Sequence, residues 1–242
     1  MDRPIVEFSC AIKSFTSSPA LTGLSFSIGR GECYVLLGRN GAGKTTAMRC
    51  LIGLTTVDYG SVRAFDVDPR EKPLEVRRRT AYLPDDPLLY EHLTIVEFLE
   101  YVSVLWNVPP GAARAKANEL IAWLELTPHQ SKLTRDLSRG MKQKLALAGA
   151  LLHTPDLIVL DEPLTGVDLV SARHIKDCLK SLQKRGVTIV LATHMMDLAE
   201  EMADRIGIIH AGKIITEGTP QEIAGSGVGP RSLESAVLAI VK

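Results

Sequence analysis

The sequence predicts an α/β fold, a mainly parallel sheet covered by helices, with a helical subdomain inserted into it. Two observations carry that expectation. Short, β-branched-rich apolar runs, CYVLL at 33–37, LIVLD at 157–161 and VTIVLA at 187–192, are each followed by a helical pattern, and this alternation marks parallel strands joined by crossover helices. Between Pro84 and about Thr154 the rhythm breaks: TIVEFLEYVSVLW, AARAKANELIAWLEL and MKQKLALAGALL repeat with helical period and no strong strand separates them.

Each element follows from local sequence. A helix is expected from Lys44, another from Val170 to Lys184, and a third near Met196. Gly225 through Pro230 forms a glycine-rich break, after which Leu233, Val237 and Ile240 fall at helical spacing in a short C-terminal helix over 231–242. The expected division is a core of 1–83 and 155–230, with the helical subdomain at 84–154.

Composition bounds the partners. Among 242 residues, 28 Lys plus Arg balance 28 Asp plus Glu, so no net field favours nucleic acid or an anionic membrane, and any anion must be held locally. With 45% hydrophobic but only 5% aromatic residues, the core is expected to be filled by aliphatic side chains. The start lacks a secretory pattern and no window approaches about 18 uninterrupted apolar residues. The chain is therefore expected to stay in the cytosol without spanning a membrane. Cys10, Cys33, Cys50 and Cys178 have neither metal-ligand spacing nor a disulfide framework, so buried, reduced thiols are expected.

The strongest motif is Gly38-Arg39-Asn40-Gly41-Ala42-Gly43-Lys44-Thr45, between the strand CYVLL and a helix, the context a P-loop requires. Its glycines let backbone N–H groups face phosphate oxygens, the helix N-terminus adds partial positive charge, Lys44 reaches the terminal phosphates, and Thr45 offers a hydroxyl to Mg²⁺. Thr46 follows within the same turn. The strand LIVLD then ends in Asp161 and Glu162. Taken alone these are an ordinary strand end; behind a P-loop, Asp161 suits Mg²⁺ and Glu162 suits polarising an attacking water.

Together with Leu137-Ser138-Arg139-Gly140-Met141, which is similar to the signature LSGGQ, these motifs resemble the ABC transporter ATPase family in order from about Ile5 to Ile223. The resemblance implies a P-loop NTPase core with a small antiparallel β part near the N-terminus. It also implies ATP and Mg²⁺ as cofactors, and a head-to-tail dimer, of two copies or with a second ATPase subunit, in which Ser138 and Gly140 meet the γ-phosphate bound by the opposite subunit. By position, Phe15 matches the aromatic that stacks on adenine, Asp168 the acidic residue of the loop that communicates across the dimer, and His194 the switch histidine on the γ-phosphate. Standing alone, Ser138 would read as a helix cap, Phe15 as a core aromatic and His194 as a satisfied strand-end histidine.

Four positions depart from the common pattern. Arg139 and Met141 replace a glycine and the glutamine of the signature, Asp85 stands where a Gln usually senses Mg²⁺, and Leu169 follows Asp168 where proline is common. An ionised Asp accepts hydrogen bonds but donates none, and it is one methylene shorter than Gln. Asp85 is thus a metal candidate that could also fail to reach. The acidic residue, the S-x-G-M signature and the C-terminal helix look most like the exporter branch, which works at the cytoplasmic face of the membrane with a separate multi-span permease. An importer ATPase, a soluble ABC ATPase acting on ribosome or nucleic acid, and a non-hydrolysing binding module are the alternatives.

Overall fold

The computed structural model describes residues 3–16 and 18–225; the expected helix over 231–242 lies outside them. The chain opens with β1 (Val6–Phe15) and β2 (Ser18–Ile28), antiparallel neighbours with Val6 opposite Ile28. β3 (Cys33–Leu37), α1 (Lys44–Leu51), β4 (Tyr59–Ala64), α2 (Pro73–Arg78) and β5 (Thr80–Leu83) follow. Next come α3 (Ile95–Leu105), α4 (Pro110–Trp123) and α5 (Arg139–Leu151), with single 3-10 turns at Thr127–His129 and Thr134–Asp136 and, in place of a strand, one isolated bridge between Thr94 and Leu133. The strand–helix rhythm resumes with β6 (Leu157–Asp161), α6 (Leu169–Lys184), β7 (Thr188–Thr193), α7 (Met196–Met202), β8 (Arg205–His210), β9 (Lys213–Gly218) and α8 (Pro220–Gly225).

Two sheets result. β1 lies between β2 and β4 in a three-stranded antiparallel sheet, and a six-stranded sheet runs β5-β6-β7-β3-β8-β9, parallel except for β9. The fold is the α/β arrangement expected, with a small antiparallel sheet at the N-terminal end.

The central strands feed two cores, because successive side chains on a strand point to opposite faces. From β3, Cys33, Val35 and Leu37 enter a core shared with α3 to α6, while Tyr34 and Leu36 enter a second one beneath α1 and the antiparallel sheet. β6 and β7 divide the same way: Ile158, Leu160, Ile189 and Leu191 on one side, Leu157, Val159, Val190 and Ala192 on the other. The second core carries an aromatic stack, Phe8 on Phe26 at 4.6 Å and Phe26 on Tyr34 at 5.1 Å; Phe98 is a buried aromatic of the first core, and aliphatic side chains fill most of the rest. Cys33, Cys50 and Cys178 are buried thiols, but Cys10 is exposed. It sits where the register of β1 on β2 shifts, at φ +47, and the resulting bulge takes its side chain off the inward face.

The helical segment starts on a firm cap. The Thr94 hydroxyl accepts from the Glu97 N–H at 3.3 Å and the Glu97 carboxylate accepts from the Thr94 N–H at 2.8 Å, a reciprocal pair that satisfies two otherwise orphaned donors. Thr94→Ala is expected to destabilise the protein by about 1 kcal/mol and Thr94→Ser by much less, read from chemical denaturation.

Candidate nucleotide site

The site forms at the carboxyl ends of β3, β6 and β7, where parallel α/β sheets bind ligands. Leu37 ends β3 opposite Thr193 on β7, and the next N–H, of Gly38, donates to the Thr193 carbonyl at 3.1 Å. The chain then turns through Gly41 (φ +81) and Gly43 (φ +108) into α1. A β-carbon on Gly43 would lie 2.4 Å from the Ala20 carbonyl oxygen, so only glycine fits between the loop and β2. No acidic residue occupies the first turn of α1, which leaves its free N–H groups and positive end for an anion.

Lys44 is 5% exposed. Its ammonium donates to the carbonyls of Gly38 at 2.7 Å and Arg39 at 3.3 Å, and lies 3.1 Å from Glu162 Oε1. Glu162 follows the last residue of β6 at φ +48, its N–H bound to the Ala192 carbonyl at 2.8 Å. This left-handed turn, uncommon for a residue with a side chain, brings the carboxylate back over the ends of β3 and β7. Its Oε2 accepts from the Thr193 hydroxyl at 3.0 Å and the His194 N–H at 3.3 Å, and lies 3.0 Å from His194 Nδ1. Burial alone would raise the Glu162 carboxyl, but His194, Lys44 and Thr193 together hold it below the ordinary glutamate range. It is ionised at neutral pH.

Asp161 behaves oppositely. It is 2% exposed and its Oδ1 has no partner within the protein. Burial pushes its carboxyl up; the Thr45 side-chain hydrogen bond and Lys44 oppose this, while the charges of Glu162 and Asp85 add to it. An orphaned carboxylate oxygen beside the Thr45 hydroxyl, with a second carboxylate at Asp85, is an all-oxygen donor set of the kind hard divalent cations take. The residues present therefore fit Mg²⁺, whose coordination the phosphates would complete.

These groups enclose a cavity of about 320 Å³, bordered by Asn40, Gly41, Gly43, Lys44, Thr45 and Thr46 on the loop side and by Asp85, Asp161 and Glu162 opposite. Arg39 is exposed at the rim and the Ala42 side chain turns into the second core. A larger hollow of about 800 Å³, beside the stacked Trp106 and His153 rings, contains none of the motif residues.

Ser138, Gly140 and Asp168 form a separate cluster outside the cavity wall. Ser138 caps α5 by accepting from the Met141 N–H at 3.3 Å, and Asp168 caps α6 by accepting from Ser171 N–H at 2.9 Å. A β-carbon on Gly140 would meet Asp168 Oδ2 and Ser171 Oγ at 2.6 Å, so glycine there lets the two helix starts approach. The Ser171 backbone hydrogen bond holds the Asp168 carboxyl below its ordinary range. Phe15 is also outside the cavity. It is 49% exposed where β1 pairs with β2, with the Lys13 ammonium 5.4 Å above its ring.

Three contributors escaped sequence reasoning. Thr193, fully buried, orients Glu162 through its hydroxyl; its one sequence signal is its place directly before His194 at the end of a strand. Gln143, 1% exposed, donates from its side-chain amide to the Asp85 carbonyl at 3.0 Å. Arg139, noted only as a departure, forms an ion pair with Asp85 at 3.5 Å.

A glycine-rich turn into a helix, a buried lysine and a strand-end carboxylate pair define a P-loop ATPase. The profile of the family described as ABC transporter matches residues 21–165. The Nod factor export ATP-binding protein I of Burkholderia orbicola (strain AU 1054) is 38% identical over 225 residues, covering 93% of this chain and 74% of that protein; its namesake from Rhizobium meliloti (strain 1021) is 34% identical, covering 95% and 68%. Among solved structures, one described as the ATP binding subunit of an ABC transporter superposes with a TM-score of 0.90 at 29% identity, covering 98% of this chain and all of that one. The structure of cbiO1 from Clostridium perfringens, described as part of the ABC transporter complex cbiONQ, gives 0.82 at 26% identity, covering 92% and 91%.

The chain belongs to the ABC transporter family. Within it, this is an ATP-binding subunit and an ATPase.

Gly43→Ala is expected to abolish nucleotide binding while the sheet still forms, checked by binding of a fluorescent ATP analogue and circular dichroism. The carboxyl pair gives opposite pH signatures. With its folded pKa raised, Asp161 costs the nucleotide-free protein stability as pH rises from the ordinary aspartate range through that raised value. Glu162, with its pKa depressed, contributes stability that is present above the ordinary glutamate range and lost as pH falls through the depressed value. Asp161→Asn is therefore expected to stabilise the nucleotide-free protein at neutral pH by about 1 kcal/mol, roughly 2–4 °C in melting temperature at this size, while Mg²⁺-dependent hydrolysis is lost.

Proposed function

We propose that this chain binds ATP with Mg²⁺ and hydrolyses it to drive export of a substrate through a separate multi-span permease, by closing as a dimer with a second copy or a homologous ATPase subunit. The observation that carries this reading is the segment leaving β5. Asp85 borders the phosphate cavity, and three residues further Leu88 is 93% exposed, followed by exposed Tyr90. Tyr90 is fixed to α3 through Tyr101, hydroxyl to hydroxyl at 3.0 Å and ring to ring at 4.8 Å, next to exposed Val104 and Leu105. An apolar strip rooted in the nucleotide site is a surface through which a membrane partner would receive motion. Among the described residues no helix is long and apolar enough to cross a membrane; the subunit works at the cytoplasmic face, held by that partner. The relatives named for Nod factor export support the direction of transport, and the balanced charge gives no support to a nucleic-acid partner.

In the reaction, the triphosphate offers Lys44 more negative charge than Glu162 does, so the ammonium turns to the terminal phosphates and the carboxylate is freed toward water. Glu162 then takes a proton from the attacking water. His194, already held against Glu162, contacts the γ-phosphate, and the N–H groups that the loop and the first turn of α1 leave free between Asn40 and Thr46 cradle the chain of phosphates. Mg²⁺, held by Thr45, Asp161 and Asp85, would neutralise developing phosphate charge. Phe15 stacks on adenine from the hairpin tip. Ser138 and Gly140 meet the γ-phosphate of the opposite subunit, with Asp168 beside them at the dimer contact. In this reading the core is 1–83 with 155–230, and 84–154 is the helical lever.

Purification from gently solubilised membranes is expected to recover a multi-span protein, with ATPase activity lost in Lys44→Ala; recovery of ribosomal or nucleic-acid factors without a membrane protein would instead favour a soluble ATPase. Leu88→Asp is expected to lose the membrane partner and keep nucleotide affinity. Glu162→Gln is expected to bind ATP, accumulate the dimer and turn over roughly 10²- to 10⁴-fold more slowly; rapid turnover would remove Glu162 from the role of base.

A further inference from the structure

Asp85 and Arg139 are both departures from the usual family pattern, and they face each other: Arg139 Nη2 lies 3.5 Å from Asp85 Oδ1. The usual Gln and Gly could form no ion pair. We propose that this pair is a charge-exchange latch, in which Arg139 and the metal of a bound Mg²⁺–nucleotide compete for the Asp85 carboxylate, so that filling the site releases the start of α5. The proposal rests on the reading of the cavity as a metal–nucleotide site.

The geometry supplies each part. Asp85 borders the phosphate cavity, and its charge is felt at Asp161, whose carboxyl it helps to raise. Its backbone is pinned separately, since the buried Gln143 amide on α5 holds the Asp85 carbonyl at 3.0 Å. The carboxylate can thus change partner while the main chain stays anchored.

Arg139 is the first residue of α5, directly after the Ser138 cap. Its side chain also lies against Gly166, 3.1 Å from where a β-carbon on that residue would sit. One guanidinium therefore ties the segment at Asp85, the start of α5 and the loop between β6 and α6. Both partners are half exposed, at 52% and 53%, and an ion pair so hydrated is weak. A divalent cation held by Thr45, Asp161 and phosphate oxygens would displace it, whereas a buried pair would resist. Once released, Arg139 presents a planar, five-donor cation suited to phosphate oxygens at a helix N-terminus that is itself positive.

The test is the affinity of Mn²⁺, followed by electron paramagnetic resonance on the full chain loaded with a non-hydrolysable ATP analogue. Arg139→Ala is expected to tighten Mn²⁺ binding about two- to fivefold, the range an exposed ion pair is worth. Asp85→Asn is expected to weaken it, and Arg139→Ala added to Asp85→Asn should change nothing further. Both side chains are on the surface, so the variants keep the fold. An Arg139→Ala variant with unchanged or weaker Mn²⁺ binding would overturn the latch. So would equal tightening in the Asp85→Asn background, which would reveal only repulsion through space. Hydrogen exchange supplies a second readout: adding Mg²⁺ and the analogue should increase exchange in the first turn of α5 in the natural chain but leave Arg139→Ala, already released, unaltered. Nucleotide that binds without Mn²⁺ would sink the metal site itself; Mn²⁺ binding indifferent to Arg139 would sink the latch alone.

Discussion

Lys44 and Glu162 are both withdrawn from water, and each has the other plus a few fixed dipoles to offset the hydration it gave up. Burying an ion pair is tolerable only when geometry and extra hydrogen bonds compensate. Here Gly38 and Arg39 carbonyls serve the ammonium, while Thr193 and His194 serve the carboxylate. Those partners come from the ends of three adjacent strands, so the pair exists only while β6, β7 and β3 lie side by side in parallel. The site and the sheet stand or fall together, and the charges stay poised because neither has water to retreat to.

Asp161 shows the complementary strategy. Its neighbour Glu162 has Thr193 and His194 on one oxygen and the Lys44 ammonium 3.1 Å from the other, whereas Asp161 keeps one oxygen without a protein partner. Adjacent carboxylates at the end of one strand are thus pushed apart in proton affinity by their surroundings, one held ionised by donors and one left short of them. Strain of this kind collects where a ligand is due.

Much of this was legible in the sequence, for a physical reason. β3, β6 and β7 are buried on both faces, so they read as unbroken apolar runs, and the helices between Pro84 and Thr154 show their period because each buries one side. Lys44, Thr45, Asp161 and Glu162 are positioned by the local backbone that encodes them. β1, β2, β4 and α2 are plainer in the structure, since polar outward residues, a bulge at Cys10 and shortness blur their patterns. Gln143 on Asp85 and Arg139 on Asp85 depend on how α5 settles against the core, a relation between distant segments that no local pattern states. Phe15 was picked out by position alone, and its open ring shows why burial could not have identified it.

The division of each central strand between two cores also constrains how such a chain can change length. Inserting one residue within β3, just after Cys33, would exchange the faces of the residues beyond it. Tyr34 would leave its stack on Phe26 and enter the aliphatic space under the helical segment, as Val35 and Leu37 crossed the other way. Compensation would require matching shifts in β6 and β7 at once, which no single event supplies. Insertions and deletions therefore have room in the connections around α3 and α4, whereas strand lengths are locked, and the spacing between Lys44 and the two carboxylates in space survives even where their separation along the chain drifts.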